Sequence, residues 1–323
     1  MASRSTGVGL TLALLSAASF GTSGTFARSV LDAGWSPGAA VIVRIGIAAV
    51  VLTAFVAPQL RRHRHDLRRN GRTLTVYGIA AVAGAQLCYF NAVEHLSVAV
   101  ALLLEYSGTL LVVLWLWLRH AHRPKAFTVT GAVAATCGLA LVLDVFGDVS
   151  IDVVGVAWGL GAAVGLATYF VISANTDDAL PPLITAWGGL VIGGVSLGAA
   201  AVVGVVPVTV VSTDVTLLDR QMSWLVPMLG MSVLAAAFAY VAGVAGARIL
   251  GAKVASFVGL TEVLFAVLIA WVAVDESLSA IQLVGGALVV LGIALVKLDE
   301  RSADDHALSG TPATPLLPAT HDV

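Results

Sequence analysis

Residues 98–118 read VAVALLLEYSGTLLVVLWLWL, an apolar run with a single acid, Glu105, in its interior. At about 1.5 Å per residue a helix of this length crosses the roughly 30 Å hydrocarbon layer of a bilayer, which puts Glu105 about 10 Å from one face. An ionisable group at that depth is costly, and it is kept where it lines a cavity or meets another charge. Residues 254–274, VASFVGLTEVLFAVLIAWVAV, repeat the device with Glu262 as their only acid. Two matched acids point to two matched halves.

The composition surrounding these runs excludes a water-soluble globule. Of 323 residues, 59% are hydrophobic and 11% charged, with a mean hydropathy of +0.96, which is the composition of a polytopic membrane protein. The net charge of -2 matters less than where Lys and Arg fall along the chain. Cys88 and Cys137 lie inside apolar segments and read as packed free thiols, with no disulfide and no metal site. All seven histidines map to loops, helix ends or the tail. No His-acid or Ser-base constellation stands at membrane depth and no Gly-rich loop could hold a nucleotide, so neither an enzyme nor a cofactor is expected. The apolar run 7–26 is too long and too rich in Ser19, Thr22, Ser23 and Thr25 for a cleaved signal peptide, and further spans follow it.

Apolar runs long enough to span fall at about 8–30, 37–58, 74–93, 98–118, 126–145, 154–173, 183–206, 224–246, 254–274 and 279–297. These spacings predict ten helices joined by short loops. The basic segment RRHRHDLRRNGR at 61–72 carries six arginines, and the connection after the fourth run holds Arg119, Arg123 and Lys125. Placing both in the cytoplasm puts both termini there, with about fourteen basic residues inside and two outside. The basic segment reads as a solvated inside loop, not a nucleic-acid site. Six of the seven tryptophans, Trp187 excepted, fall near proposed helix ends, where an indole favours the interface. Pairs such as Gly155/Gly159, Gly161/Gly165, Gly189/Gly193 and Gly194/Gly198 read as close helix packing. After Asp299 the chain turns polar and Pro-rich, a disordered cytoplasmic tail over 299–323.

Sliding the chain by 154 residues lays GAVAATCGLALVLD, from Gly131, onto GGALVVLGIALVKL, from Gly285, matching Gly131 with Gly285 and Gly138 with Gly292. The halves are 1–150 and 151–298, five helices each. An odd number of spans turns the second copy upside down, so the expected fold is all-α, with ten transmembrane helices in two inverted five-helix repeats. At this shift the two acids are displaced by three residues, nearly one turn, and occupy similar faces of equivalent helices.

Several short motifs in this order resemble the EamA-type branch of the drug/metabolite transporter superfamily. They are Ser36-Pro37 followed by Arg44, Leu104-Glu105-Tyr106-Ser107-Gly108, Gly259-Leu260-Thr261-Glu262, and Asp275-Glu276-Ser277-Leu278 followed by Gln282-Leu283-Val284-Gly285-Gly286. The resemblance covers nearly the whole chain except the tail. It implies a secondary transporter in the cytoplasmic membrane that exports a small polar metabolite, such as an amino acid or a drug-like compound, with a proton as candidate coupling ion and a homodimer allowed. A channel or a non-transport structural membrane protein is the alternative. The family's proline after the helix-nine Thr-Glu pair is Val263 here, and Thr109 takes the corresponding place in helix four. Whether those helices break is therefore open. His122-Arg123 stand where helix nine ends in Asp275-Glu276.

The candidate cavity lining is Glu105, Glu262, Arg44, Gln86, Asn91, Tyr89, Tyr106, Tyr169 and Tyr240, with Thr261 of the Thr-Glu pair. Arg44 and Glu105 each stand about seven residues into a helix entering from outside, so the two are expected to pair. The second half has Trp187-Gly188-Gly189-Leu190 in place of an arginine. Glu262 is therefore expected to lack a cation and to be the acid that responds to pH or substrate.

Overall fold

The computed structural model describes residues 2–96, 98–120, 124–145, 152–175, 180–218, 220–274 and 279–309. Its helices are α1 (Ala2–Gly21), α2 (Ser23–Asp32), α3 (Pro37–Leu60), α4 (Arg64–Arg69), α5 (Gly71–Val76), α6 (Ala85–His95), α7 (Val98–Tyr106) and α8 (Gly108–His120). There follow α9 (Ala126–Val142), α10 (Val153–Asn175), α11 (Pro182–Val202), α12 (Leu225–Leu229), α13 (Ala239–Gly259), α14 (Thr261–Val274) and α15 (Ala280–Ser309). Two stretches, Tyr77–Gly84 and Gly230–Phe238, wind as π-helix. One antiparallel hairpin of β1 (Val215–Leu217) and β2 (Arg220–Met222) is an addition to the expected all-helical fold. The Asp275-Glu276-Ser277-Leu278 motif and His122-Arg123 lie outside the described residues, as does the tail beyond 309. The helix α15 continues past the expected tail boundary at 299.

Among the described residues, eight helical stretches are long and apolar enough to cross a membrane, and α9 is a shorter apolar helix. The protein is an all-α polytopic membrane protein. Large apolar side chains such as Val50, Phe55 and Leu283 are exposed on its outer faces, as side chains facing lipid would be. One of the eight stretches, Leu225–Gly259, is 35 residues long, about 52 Å if straight and too long for one crossing. Gly251 breaks it, with φ 77° and ψ 160°, a conformation that is cheap only without a Cβ.

The helices expected over 98–118 and 254–274 are both interrupted, without proline. At Ser107 the amide is shared between the Leu103 and Leu104 carbonyls, both at 3.1 Å. The Ser107 hydroxyl donates to the Leu104 carbonyl at 2.6 Å, so the side chain competes with the helical ladder. At Leu260 the amide falls back to Phe257 O at 3.1 Å, and Thr261 Oγ1 donates to Val258 O at 2.7 Å. Ser107 and Leu260 stand 153 residues apart, as do the first residues of the two π-helical stretches.

Close packing follows the small residues. Of the eight glycines read as packing signals, six would drive a Cβ to within 3.0 Å of a neighbour, Gly194 would bring one to 3.3 Å from Ile45, and Gly198 meets nothing. Glycines matched by the repeat also bring the backbones of α9 and α15 together. A Cβ on Gly131 would stand 2.8 Å from Gly292 O, and one on Gly138 would stand 2.5 Å from Gly285 O. Gly131 thus meets the repeat-equivalent of Gly138, and Gly138 meets the equivalent of Gly131.

Trp187, the indole that fitted no helix end, finds a partner instead. Its Nε1 donates to Thr53 Oγ1 at 2.7 Å, joining α11 to α3. A Trp187→Phe substitution should cost ~0.6 kcal/mol, the usual worth of an interhelical hydrogen bond in membrane proteins. Thermal unfolding in detergent checks it: the Trp187→Phe and Thr53→Val changes should be non-additive, and additivity would show that the bond contributes nothing.

Candidate functional site

Arg44 is positioned by the start of α3. Ser36 caps that helix, accepting from the Ala39 amide at 3.3 Å, and Pro37 supplies a preset φ at its first turn. Two turns on, Arg44 is 7% exposed, and its Nη2 donates to the Ala235 carbonyl at 2.6 Å. That carbonyl belongs to the π-helical stretch 230–238, where the regular i→i+4 ladder is interrupted and a carbonyl can turn to an outside donor. Arg44 forms no ion pair within 4 Å among the described residues. The expected Arg44–Glu105 bridge is therefore replaced by a bond from helix to helix.

The charge of Arg44 is nonetheless shared. Its positive charge acts on both Glu262 and Glu105. As expected, no cation pairs with Glu262 within 4 Å among the described residues, but Arg44 of the other half lines the same cavity. Each acid stands two residues from a helix interruption, Glu105 before Ser107 and Glu262 after Leu260. Glu105 therefore occupies the last turn of α7 and Glu262 the first turn of α14. The negative end of one helix dipole faces Glu105, and the positive end of the other faces Glu262. Tyr106, from the other half, lines the same cavity as Glu262.

These groups surround one cavity of about 810 Å³. Eight of the ten expected residues line it: Arg44, Gln86, Tyr89, Glu105, Tyr106, Tyr169, Tyr240 and Glu262. Tyr240 stands edge-on to Phe20 at 5.2 Å and to Tyr169 at 5.7 Å, forming an aromatic wall. Asn91 and Thr261 do not line the cavity. Asn91 Nδ2 bonds back to Leu87 O of its own helix at 2.7 Å, and Thr261 is taken up by the interruption beside it.

Sequence reasoning missed the contribution of the first helices. Ser16, Phe20, Ser23, Ala27 and Leu31 all line the cavity. Their spacing of three or four residues was a readable signal, one face of a helix with two serines on it. Arg28 and Asp32 line it too, with side chains 79% and 74% exposed, so the mouth lies at this end of the bundle. From α3 only the stretch Pro37 to Arg44 contributes. The mouth is therefore at the opposite end of α3 from the basic segment 61–72.

The profile of the EamA-like transporter family matches the chain twice, at residues 7–144 and at residues 153–298. A protein of Salmonella typhimurium (strain LT2) named "Uncharacterized inner membrane transporter YicL" is 21% identical over 302 residues, covering 92% of this chain and 97% of that one. A solved crystal structure shares the fold, with a TM-score of 0.71 at 20% identity over 94% of this chain and 99% of that chain. Each profile match contains one of the two cavity acids, and together they span the described helices from α1 into α15; the chain belongs to the EamA-like transporter family.

Proposed function

We propose that the protein is a secondary transporter of the cytoplasmic membrane that exports a small polar metabolite bearing an amine, such as an amino acid or a drug-like compound, by alternating access. The observation that carries this reading is the cavity itself. Its interior holds the carboxyls of Glu105 and Glu262 and the guanidinium of Arg44 against aromatic walls, with the exposed Arg28 and Asp32 at its mouth. A ligand ammonium suits the carboxyls, and an apolar body suits Phe20, Phe90 and Phe170. A proton can compete with the ammonium for the same carboxyls and so serve as coupling ion.

Ten spans in two inverted repeats, 1–150 and 151–298, are supported by features recurring 153 or 154 residues apart. These are the π-helical stretches, the interruptions beside the acids and the reciprocal glycine contacts of α9 with α15. The count of ten takes Gly251 as the boundary between one crossing that begins at Leu225 and another made of residues 252–259 together with α14. The basic residues favour cytoplasmic termini, which makes the mouth extracellular.

Exchange in proteoliposomes tests this reading. Saturable counterflow of a labelled amino acid or amine is expected, driven by unlabelled substrate on the far side. Unsaturable conductance would favour a channel. If overexpression released no metabolite and protected cells from no toxic amino acid, analogue or drug, export would be overturned.

A further inference from the structure

Asp299 is a carboxylate 4% exposed near the end of the apolar part of α15. Burial at such a place is costly unless the charge is fully partnered. Thr128 Oγ1, from the first turn of α9, donates to its Oδ2 at 2.5 Å. Lys253 Nζ, from α13 just past Gly251, stands 3.6 Å from the same oxygen. Oδ1 has no hydrogen-bond partner among the described residues. The cluster joins three helices, and none of its members lines the cavity.

Lys253 belongs to an unusual piece of chain. Residues 252–259 are a short helix bounded by Gly251, which is not helical, and by the interruption at Leu260. Ala255 and Gly259 of this piece line the cavity, and Glu262 follows three residues after it. Ser256 O also accepts from Thr109 Oγ1 of α8 at 3.4 Å. The piece is thus part of the wall at the end of the cavity away from the mouth. One end carries Lys253 toward Asp299, and the other leads into the acid that faces substrate.

We propose that Lys253, Asp299 and Thr128 form a latch that closes the cytoplasmic end of the pathway, and that residues 252–259 are the hinged piece it holds. The inference rests on the alternating-access reading. A half-satisfied buried carboxylate is a poor way to add stability compared with apolar packing. It is a good way to build a contact that can be exchanged, because its groups find water as soon as the piece swings away. Movement about Gly251 and Leu260 separates Lys253 from Asp299 and shifts the backbone that carries Glu262.

The test reads accessibility, with no substrate present. In a chain carrying Cys88→Ser and Cys137→Ser, an Ala255→Cys reporter is treated with a membrane-impermeant maleimide from either face, in right-side-out and inside-out vesicles. Asp299→Asn or Lys253→Gln should raise labelling from the cytoplasmic face by ~10-fold, a modest population shift, and lower it from the outside. The exchange Lys253→Asp with Asp299→Lys should return both towards the starting values. Thr128→Val, which removes one hydrogen bond and no charge, gives a smaller shift in the same direction and serves if the charge variants fail to elute as folded protein. Unchanged labelling in folded variants, or an equal rise from both faces, overturns the latch. Saturable exchange together with unmoved labelling would sink the latch and leave the transport reading standing. Labelling that follows the latch without any substrate exchange would do the reverse.

Discussion

Glu262→Gln is expected to lower the rate of substrate exchange by roughly 10- to 100-fold, the worth of one charge-assisted hydrogen bond of about 1.5–3 kcal/mol. Glutamine keeps the shape of the side chain and a hydrogen-bonding end in the cavity that Tyr106 also lines. What it cannot do is exchange a proton or carry charge opposite Arg44 and a ligand ammonium. The variant should therefore fold as the parent does, lose most exchange and lose its dependence on pH. Initial rates of counterflow measured across a range of pH read all three. A variant with the parental rate and pH profile would make Glu262 a structural residue.

The largest effect on folding is expected from Gly138→Val. A Cβ there would stand 2.5 Å from Gly285 O and 2.7 Å from Val289 N, and backbone atoms cannot rotate away as a side chain can. The whole of α9 would have to move off α15, at a cost of about 3 kcal/mol, the upper end of ordinary overpacking. A clear fall in melting temperature and in yield of monodisperse protein should follow in detergent. Gly198→Val is the control, because a Cβ at Gly198 meets nothing within 4 Å. Equal melting of the two variants would mean that the α9 contact is looser than its geometry.

Much of this protein was legible along the chain. The lone acids Glu105 and Glu262 stand out in apolar runs because charge in hydrocarbon is expensive, so each must have a reason. The equivalence of Gly131 with Gly285 and of Gly138 with Gly292 could be read by sliding the sequence, since both halves meet the same steric demand. Hydropathy is a property of each segment taken alone, which is why the membrane class and most spans needed no tertiary information. The interruptions at Ser107 and Leu260 were only half legible, because without proline they depend on how a hydroxyl shares a carbonyl with the backbone.

Partner choice was decided by the tertiary structure. Depth along two helices suggested that Arg44 would pair with Glu105, but depth says nothing about which faces meet. In the folded chain the π-helical stretch offers the Ala235 carbonyl to Arg44, which pairs with neither acid within 4 Å among the described residues. Asn91 and Thr261 are as polar as the residues that line the cavity, yet Asn91 is consumed by a bond within its own helix and Thr261 by one back across the interruption at Leu260. The burial of Asp299 between Thr128 and Lys253 joins residues 171 and 46 positions away from it, and no local pattern marks them as partners. Apolar runs specify that helices form and span, because that free energy is local to each segment. Which polar groups face one another depends on the approach of helices far apart in sequence, and only their packing settles it.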